Sequence, residues 1–92
     1  YAHGLDVTLV CASGNNGSAT IVSYPAAYDA YCIAVGATRY DEAVASYSNR
    51  GAALDLTAPG GDTSVDQNGD GYVDGVLQQT FGSSPTDFSY YF

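Results

Sequence analysis

The sequence has very little positive charge. Its 92 residues contain ten acidic side chains, two arginines and no lysine, which gives a formal net charge of −8 at pH 7. A chain with so few cations has almost nothing with which to neutralise phosphates. We therefore expect no nucleic-acid partner and no anionic membrane partner, and we expect cations to be the natural partners of so acidic a chain.

Cysteine is also scarce, and no long hydrophobic run is present. Cys11 and Cys32 allow one disulfide but do not require it, because each lies in a short apolar run where a free thiol behaves as a small hydrophobic side chain. No segment predicts a membrane span or a signal peptide, but the chain begins at Tyr1, so this says nothing about targeting. The length corresponds to one domain at most, or to a piece of one.

Two continuous apolar runs, residues 7–12 and 32–37, predict strands that are buried on both faces. Strands of this kind favour neighbouring places in a parallel sheet. The segment between them is too short, and too interrupted by Pro25, for an ordinary crossover helix. We therefore expect two neighbouring parallel strands that are joined without a helix.

The other segments predict short strands and loops. Residues 1–4 have the pattern of a last helical turn with Gly4 as its C-terminal cap. The remaining predictions are short strands at 43–48 and 54–60, a Gly- and Asp-rich loop at 61–75, and two hairpin arms at 76–81 and 88–92.

An asparagine-containing turn follows the first apolar run. Residues 13–17 are Ser-Gly-Asn-Asn-Gly, which is a dense turn signal. Open α/β sheets bind their ligands at the carboxyl ends of the strands, so the Asn15 amide there can donate a hydrogen bond to an oxyanion that develops during acyl transfer. The residues alone leave this open, because Gly-Asn-Asn-Gly is also an ordinary turn.

Five short motifs occur in one order along the chain. They are Ala-Ser-Gly-Asn at 12–15, Ser-Tyr-Pro-Ala at 23–26, Ile-Ala-Val-Gly-Ala at 33–37, Ala-Ser-Tyr-Ser-Asn-Arg-Gly at 45–51 and Leu-Asp-Leu-Thr-Ala-Pro-Gly at 54–60. In this order and spacing they resemble the second half of the subtilisin family of serine peptidases, strongly over residues 1–60 and loosely over residues 76–92. The resemblance implies an α/β fold, the C-terminal portion of a doubly wound, mostly parallel sheet. The loop before the terminal β-hairpin is longer than is usual in the family, so we interpret it as an insertion that became a calcium loop.

The same resemblance implies roles for individual residues. Asn15 matches the oxyanion-hole asparagine, and Tyr47 matches an aromatic position on the leaving-group side. The specificity pocket is matched by a wall of Ala12, Ser13 and Gly14 and a floor at Ser23.

The family's catalytic aspartate, histidine and serine match no residue of this chain. His3 lacks the Gly-Thr-His context of the family's base, and Ser13 is followed by Gly-Asn rather than by the Met-Ala that follows the nucleophile. The resemblance therefore implies part of a secreted serine endopeptidase that acts on a polypeptide substrate, and we expect this part alone to be inactive.

The sequence 66–74 has the spacing of a calcium-binding loop. Counted from Asp66, oxygen donors fall at positions 1, 3, 5 and 9, and position 6 is Gly71. Position 12 of the 66–77 loop is Leu77 rather than a bidentate glutamate, so Asp62, Gln78 or water must complete the shell. The alternative is an acidic surface loop without metal. The expected Ca²⁺ ligands are Asp66, Asn68, Asp70, the Tyr72 carbonyl and Asp74.

Two other functions remain open at this stage. One is a calcium-stabilised extracellular binding module, for which the loop alone would suffice. The other is a subtilisin-like scaffold that has lost catalysis and only binds. A Gly-Thr-Ser motif soon after residue 92 would favour the peptidase.

Overall fold

The fold is known from a computed structural model that describes residues 1–86 in full and residues 88–91 by their backbone. Within this part of the chain, a short 3₁₀ helix precedes a series of strands. The elements are the helix His3–Leu5 and the strands β1 Val10–Ala12, β2 Ile33–Thr38, β3 Leu56–Pro59, β4 Gly61–Asp62, β5 Asp74–Gly75, β6 Gln78–Phe81 and β7 Phe88–Tyr91.

The central sheet consists of β1, β2 and β3, which lie side by side in that order and run parallel. Val10 pairs with Ile33, and Val35 pairs with Leu56. The connection from β1 to β2 contains turns and no helix. The sequence prediction of two apolar strands that are parallel neighbours without a crossover helix is thus confirmed.

Two antiparallel pairs follow the sheet. β4 pairs with β5, with Gly61 opposite Gly75, so both ends of the predicted Gly- and Asp-rich loop are held together. β6 pairs with β7, with Phe81 opposite Phe88. The first hairpin arm begins at Gln78, two residues later than the predicted arm.

One face of the central sheet is covered and the other is open. Val22 and Ala26, from the connection after β1, pack on Ala34 of β2 to form the core cluster, and Cys11 of β1 joins it. Side chains alternate between the faces of a strand, so neighbouring residues of β1, β2 and β3 point the other way. These are Val10, Ile33 and Leu56, which are 65%, 37% and 48% exposed.

The prediction that both apolar strands are buried on both faces is therefore wrong for this chain. A parallel sheet needs a packed layer on each face. Among the described residues, the segment 22–27 supplies such a layer on one face only.

Two local predictions are also wrong. The N-terminal turn is a 3₁₀ helix, His3–Leu5, whose C-terminal cap is Asp6 rather than Gly4, and Asp6 has the left-handed backbone (φ 59°) that closes it. Residues 43–48 do not form a strand; Val44 makes a single bridge to Thr38. The backbone turns there instead, because the N–H of Ser48 donates to the carbonyl of Ala45 at 3.0 Å.

Cys11 and Cys32 are both free thiols. Burial raises the pKa of the Cys32 thiol, and a hydrogen bond with Cys11 raises it further. The two cysteines therefore act as small core side chains in this structure.

Of the residues described, none belongs to a helix with the length and apolarity needed to span a membrane.

Candidate functional site

The loop that carries Asn15 leaves the carboxyl end of β1. The strand ends at Ala12, and Asn15 follows with an exposed side chain. Residues 10–15 and residues 35–37 of β2 line an open groove of about 290 Å³. The Asn15 amide thus stands at the sheet edge where open α/β sheets bind their ligands.

Ser13 fixes the start of this loop. Its N–H donates to the Val35 carbonyl at 2.8 Å, and its own carbonyl accepts the N–H of Ser23 at 2.8 Å. The Ser13 side chain is 2% exposed, with its hydroxyl oxygen 3.5 Å from that of Ser48. Ser13 therefore offers its backbone, not its hydroxyl, to the predicted pocket wall, and the structure brings that wall next to the predicted floor at Ser23.

Gly14 makes the close approach of wall and floor feasible. Its φ is 107°, a conformation that side-chain-bearing residues rarely adopt. A Cβ built there would lie 2.5 Å from Nδ2 of Asn49 and would also overlap the Ser23 hydroxyl. The wall at this point must be bare backbone.

Sequence reasoning missed Asn49. This residue is 2% exposed, and its Oδ1 accepts the N–H groups of Asn16 and Ser18, each at 3.0 Å. Its Nδ2 donates to the Ser23 hydroxyl at 2.9 Å, and its backbone N–H donates to the Gly14 carbonyl at 3.0 Å. The one available signal was the motif at 45–51, in which Asn49 stands between Ser48 and Arg50, and that pattern does not reveal burial.

Tyr47 connects the same loop to the segment after β3. Its carbonyl accepts the Gly17 N–H at 2.8 Å, and its hydroxyl donates to the Gly61 carbonyl at 3.0 Å. The ring is half-buried. Tyr47 is therefore held at both its backbone and its hydroxyl, beside the loop of Asn15.

The acidic loop lies elsewhere, between β4 and β5. Asp66 accepts the N–H groups of Gly69 at 2.7 Å and Gly71 at 3.0 Å, and Asp70 accepts the N–H of Tyr72 at 2.9 Å. Asp74 accepts the N–H of Gln67. Across the described residues, no three acidic, histidine or cysteine side chains form a ready-made metal cluster. The predicted calcium ligands are thus gathered on one loop, with their oxygens bonded to its own backbone.

Two larger cavities do not involve Asn15. One of about 470 Å³ adjoins His3 and Asp55, and one of about 460 Å³ lies between Tyr40 and Tyr72 beside the acidic loop. His3 packs its ring edge-on against Tyr31, with 5.5 Å between ring centroids. We place the candidate site at the smaller groove, because the exposed amide of Asn15 and the backbone of Gly14 meet there just beyond the end of β1.

Comparison with known proteins supports the family resemblance. The model of the subtilase family matches residues 1–89. Halolysin from Haloferax mediterranei is 56% identical over 52 residues, which is 56% of this chain and 10% of halolysin. Subtilisin BL from Lederbergia lenta is 54% identical over 54 residues, or 59% of this chain and 19% of that protein.

A third relative, the minor extracellular protease Epr of Bacillus subtilis, is 44% identical over 59 residues, or 64% of this chain and 9% of that protein. The matched region therefore spans a fifth or less of the length of these relatives. The family match itself covers nearly the whole chain. The chain belongs to the subtilase family.

Proposed function

We propose that the protein containing this chain is a secreted serine endopeptidase that hydrolyses polypeptides, and that this chain supplies its oxyanion donor and one wall of its substrate pocket. One observation carries the proposal: the exposed amide of Asn15 stands just beyond the carboxyl end of a parallel strand, on a groove whose wall at Gly14 is bare backbone. Family membership and the extracellular protease among the relatives support it.

In such an enzyme, a serine activated by a histidine and an aspartate attacks the peptide carbonyl. Those three residues match no position here, so the proposal assigns them to other segments of the protein. Negative charge then develops on the carbonyl oxygen. The Nδ2–H of Asn15 donates to that oxygen more strongly than to the neutral carbonyl, which lowers the barrier.

The pocket wall follows from the backbone of Ala12, Ser13 and Gly14. At Gly14 the wall has no side chain, and the position that a Cβ would occupy is taken by Ser23 and Asn49, so a substrate residue would lie against backbone there. Ser23 gives the floor a hydroxyl that is already engaged by Asn49. Tyr47 lies on the leaving-group side of the same loop and limits the space there.

We further propose that the acidic loop binds Ca²⁺. Hard oxygen donors on one tight, glycine-containing loop suit this ion better than a transition metal. The carboxylates of Asp66, Asp70 and Asp74, the Asn68 amide oxygen and the Tyr72 carbonyl would hold it. Bound calcium would neutralise the carboxylates and stabilise the segment between β4 and β5.

The proposal is tested by Asn15→Ala in the full-length protein, assayed with a general peptide substrate. Loss of one oxyanion donor should lower kcat about 100- to 1000-fold, a magnitude that was measured in subtilisin, a relative of this chain, and is not obtained from this structure. KM should change far less, since the bond strengthens in the transition state. A covalent serine inhibitor should abolish the activity of the wild type.

The matched control is Asn16→Ala, which removes the neighbouring exposed amide but keeps the backbone N–H. It should leave kcat within about threefold of the wild type. A full-length protein without inhibitor-sensitive peptidase activity, or an Asn15→Ala variant as active as wild type, would refute the proposed function.

A further inference from the structure

We propose that Asn49 is a positioning residue: its buried carboxamide sets the oxyanion donor and the pocket floor relative to each other, although it touches no substrate. This proposal rests on the proposed function, because the position of the Asn15 amide affects the reaction only if that amide binds the oxyanion. The observation behind it is that one side chain bonds both to the loop of Asn15 and to Ser23.

The bonds of Asn49 enclose Asn15 along the chain. Its backbone N–H donates to the carbonyl of Gly14, the residue before Asn15, and its Oδ1 accepts the N–H of Asn16, the residue after. The same Oδ1 accepts the N–H of Ser18. The peptide units on either side of Asn15 are therefore fixed, which restricts the direction in which its side chain leaves the backbone.

The other end of the carboxamide reaches the floor. Nδ2 donates to the Ser23 hydroxyl, whose own backbone N–H bonds to the Ser13 carbonyl. Because the carboxamide is a single planar group, the distance between the 14–18 loop and Ser23 is set by its fixed dimensions. A shift of the floor is thereby transmitted to the oxyanion loop.

Because Asn49 is buried, loss of its hydrogen bonds should have a large effect on the loop. Asn49 is 2% exposed, so its hydrogen bonds are shielded from water and are stronger than at the surface. The described structure shows no other acceptor for the N–H groups of Asn16 and Ser18. Removal of the carboxamide would leave both donors without a partner, or force the loop to turn them outward.

Other bonds keep the loop docked without Asn49. The Gly17 N–H donates to the Tyr47 carbonyl, and the Arg50 N–H donates to the Ser18 carbonyl at 2.7 Å. Loss of Asn49 should therefore leave the loop in place but change the angle of its Asn15 end. Misplacement of a catalytic donor by about 1 Å can cost on the order of 100-fold in rate.

The test is a double-mutant cycle in the full-length protein with Asn15→Ala and Asn49→Ala. Alone, Asn49→Ala should lower kcat by about tenfold or more, because the donor is misaligned. In the Asn15→Ala background the same change should lower kcat by less than about threefold, because no donor is left to misalign. Melting temperature should fall by the same amount in both backgrounds, which separates positioning from folding.

Three further variants separate the positioning effect in the double-mutant cycle from a loss of stability. Asn49→Asp keeps an acceptor for both N–H groups and can accept the Ser23 hydroxyl, so kcat should return to within about threefold of wild type. Leu54→Ala lowers stability through the core but should leave kcat within about threefold in both backgrounds. If Asn49→Ala does not fold, Asn49→Ser repeats the cycle, since its shorter side chain does not reach both the loop and Ser23.

An additive result, with kcat reduced equally in both backgrounds, would overturn this proposal alone, and so would an unchanged kcat in the single variant. A wild-type protein without peptidase activity would overturn the proposed function and this proposal with it.

Discussion

The two polar loops of the chain are organised in opposite ways. The 14–18 loop is held by Asn49, which lies 33 residues from Asn16 and 31 from Ser18. The 66–72 loop is held mostly by its own side chains, with bonds that span two to five residues, and Gln67 adds one exposed contact to Asp41. The first set of bonds comes from a buried residue, whereas the second is exposed.

Under the proposed function, this difference would separate a site preorganised by the fold from a site that its ligand orders. An oxyanion donor on the 14–18 loop would need a fixed direction, and the long-range buried bonds of Asn49 would supply it. The acidic loop concentrates negative charge on a local turn, which a bound cation can order when it arrives. Each of the following predictions tests whether the two loops differ in this way.

The largest expected effect comes from alanine in place of a glycine in each loop. Gly14→Ala should destabilise the full-length protein by about 3 kcal/mol or more, because its φ of 107° is strained and the new Cβ would meet Asn49. Gly69→Ala should cost only about 1 kcal/mol, because its φ of 75° is strained but nothing lies within 4 Å. Urea unfolding curves, measured without calcium, give both free energies from their midpoints and m-values.

If both alanine variants lose the same free energy of unfolding, the proposed difference between the two loops is contradicted. Residue 14 would then have as much free space around it as residue 69. A double variant of Gly14→Ala with Asn49→Ala separates the causes. If contact with Asn49 contributes, the second change should restore part of the stability lost at Gly14.

The sequence alone was sufficient to predict the parallel pairing of β1 with β2. Residues 7–12 and 32–37 are continuously apolar, and a helix-free connection between them already indicated an unusual parallel pair. The strand boundaries were less accurate, because β1 begins at Val10, where the register to Ile33 begins. A hydrophobic pattern shows which residues favour a strand, but the partner decides where pairing starts.

The site was predicted only in part, for a physical reason. Asn15 could be placed because a turn after an apolar strand must lie at a strand end. Asn49 could not, because its burial depends on partners more than 25 residues away, including Ser23. No periodicity distinguishes a buried asparagine from an exposed one, so long-range polar contacts are visible only once the chain is folded.

Calcium should change the acidic loop and leave the 14–18 loop alone. Binding to the folded form alone stabilises it by RT ln(1 + [L]/Kd), about 2.7 kcal/mol at a hundredfold excess over Kd, so the melting temperature of the full-length protein should rise. Amide hydrogen exchange should slow within 66–74 and stay unchanged within 13–18. Asp70→Ala should remove most of the thermal gain.

The control for calcium is Asp6→Asn, which removes one negative charge far along the chain while keeping a residue that tolerates the left-handed backbone. It should leave the thermal gain intact. If Asp6→Asn and Asp70→Ala reduce the gain equally, the effect is general charge screening and the loop is not the binding site.

The smallest expected effect concerns a contact between the acidic loop and the preceding segment. Gln67 donates from Nε2 to Asp41 at 2.8 Å, and Arg39 pairs with the same carboxylate. The hydrogen bond from Gln67, followed by that from Arg39, lowers the pKa of Asp41. A carboxyl whose pKa is lowered on folding stabilises the protein above its ordinary pKa, and this stabilisation is lost as pH falls through the folded value.

Gln67→Ala should therefore raise the pKa of Asp41 toward its ordinary value, as followed by NMR titration of the side-chain carboxyl. The melting temperature should hardly change, because the group is at the surface. The internal control is Asp62, whose pKa is lowered mainly by hydrogen bonds from Ser64; the charge of Asp41 acts on it more weakly, so its pKa should change much less than that of Asp41. If Gln67→Ala leaves the pKa of Asp41 unchanged, the hydrogen bond between Gln67 and Asp41 does not form in solution. The acidic loop is then more independent of the 14–18 loop than the contacts indicate.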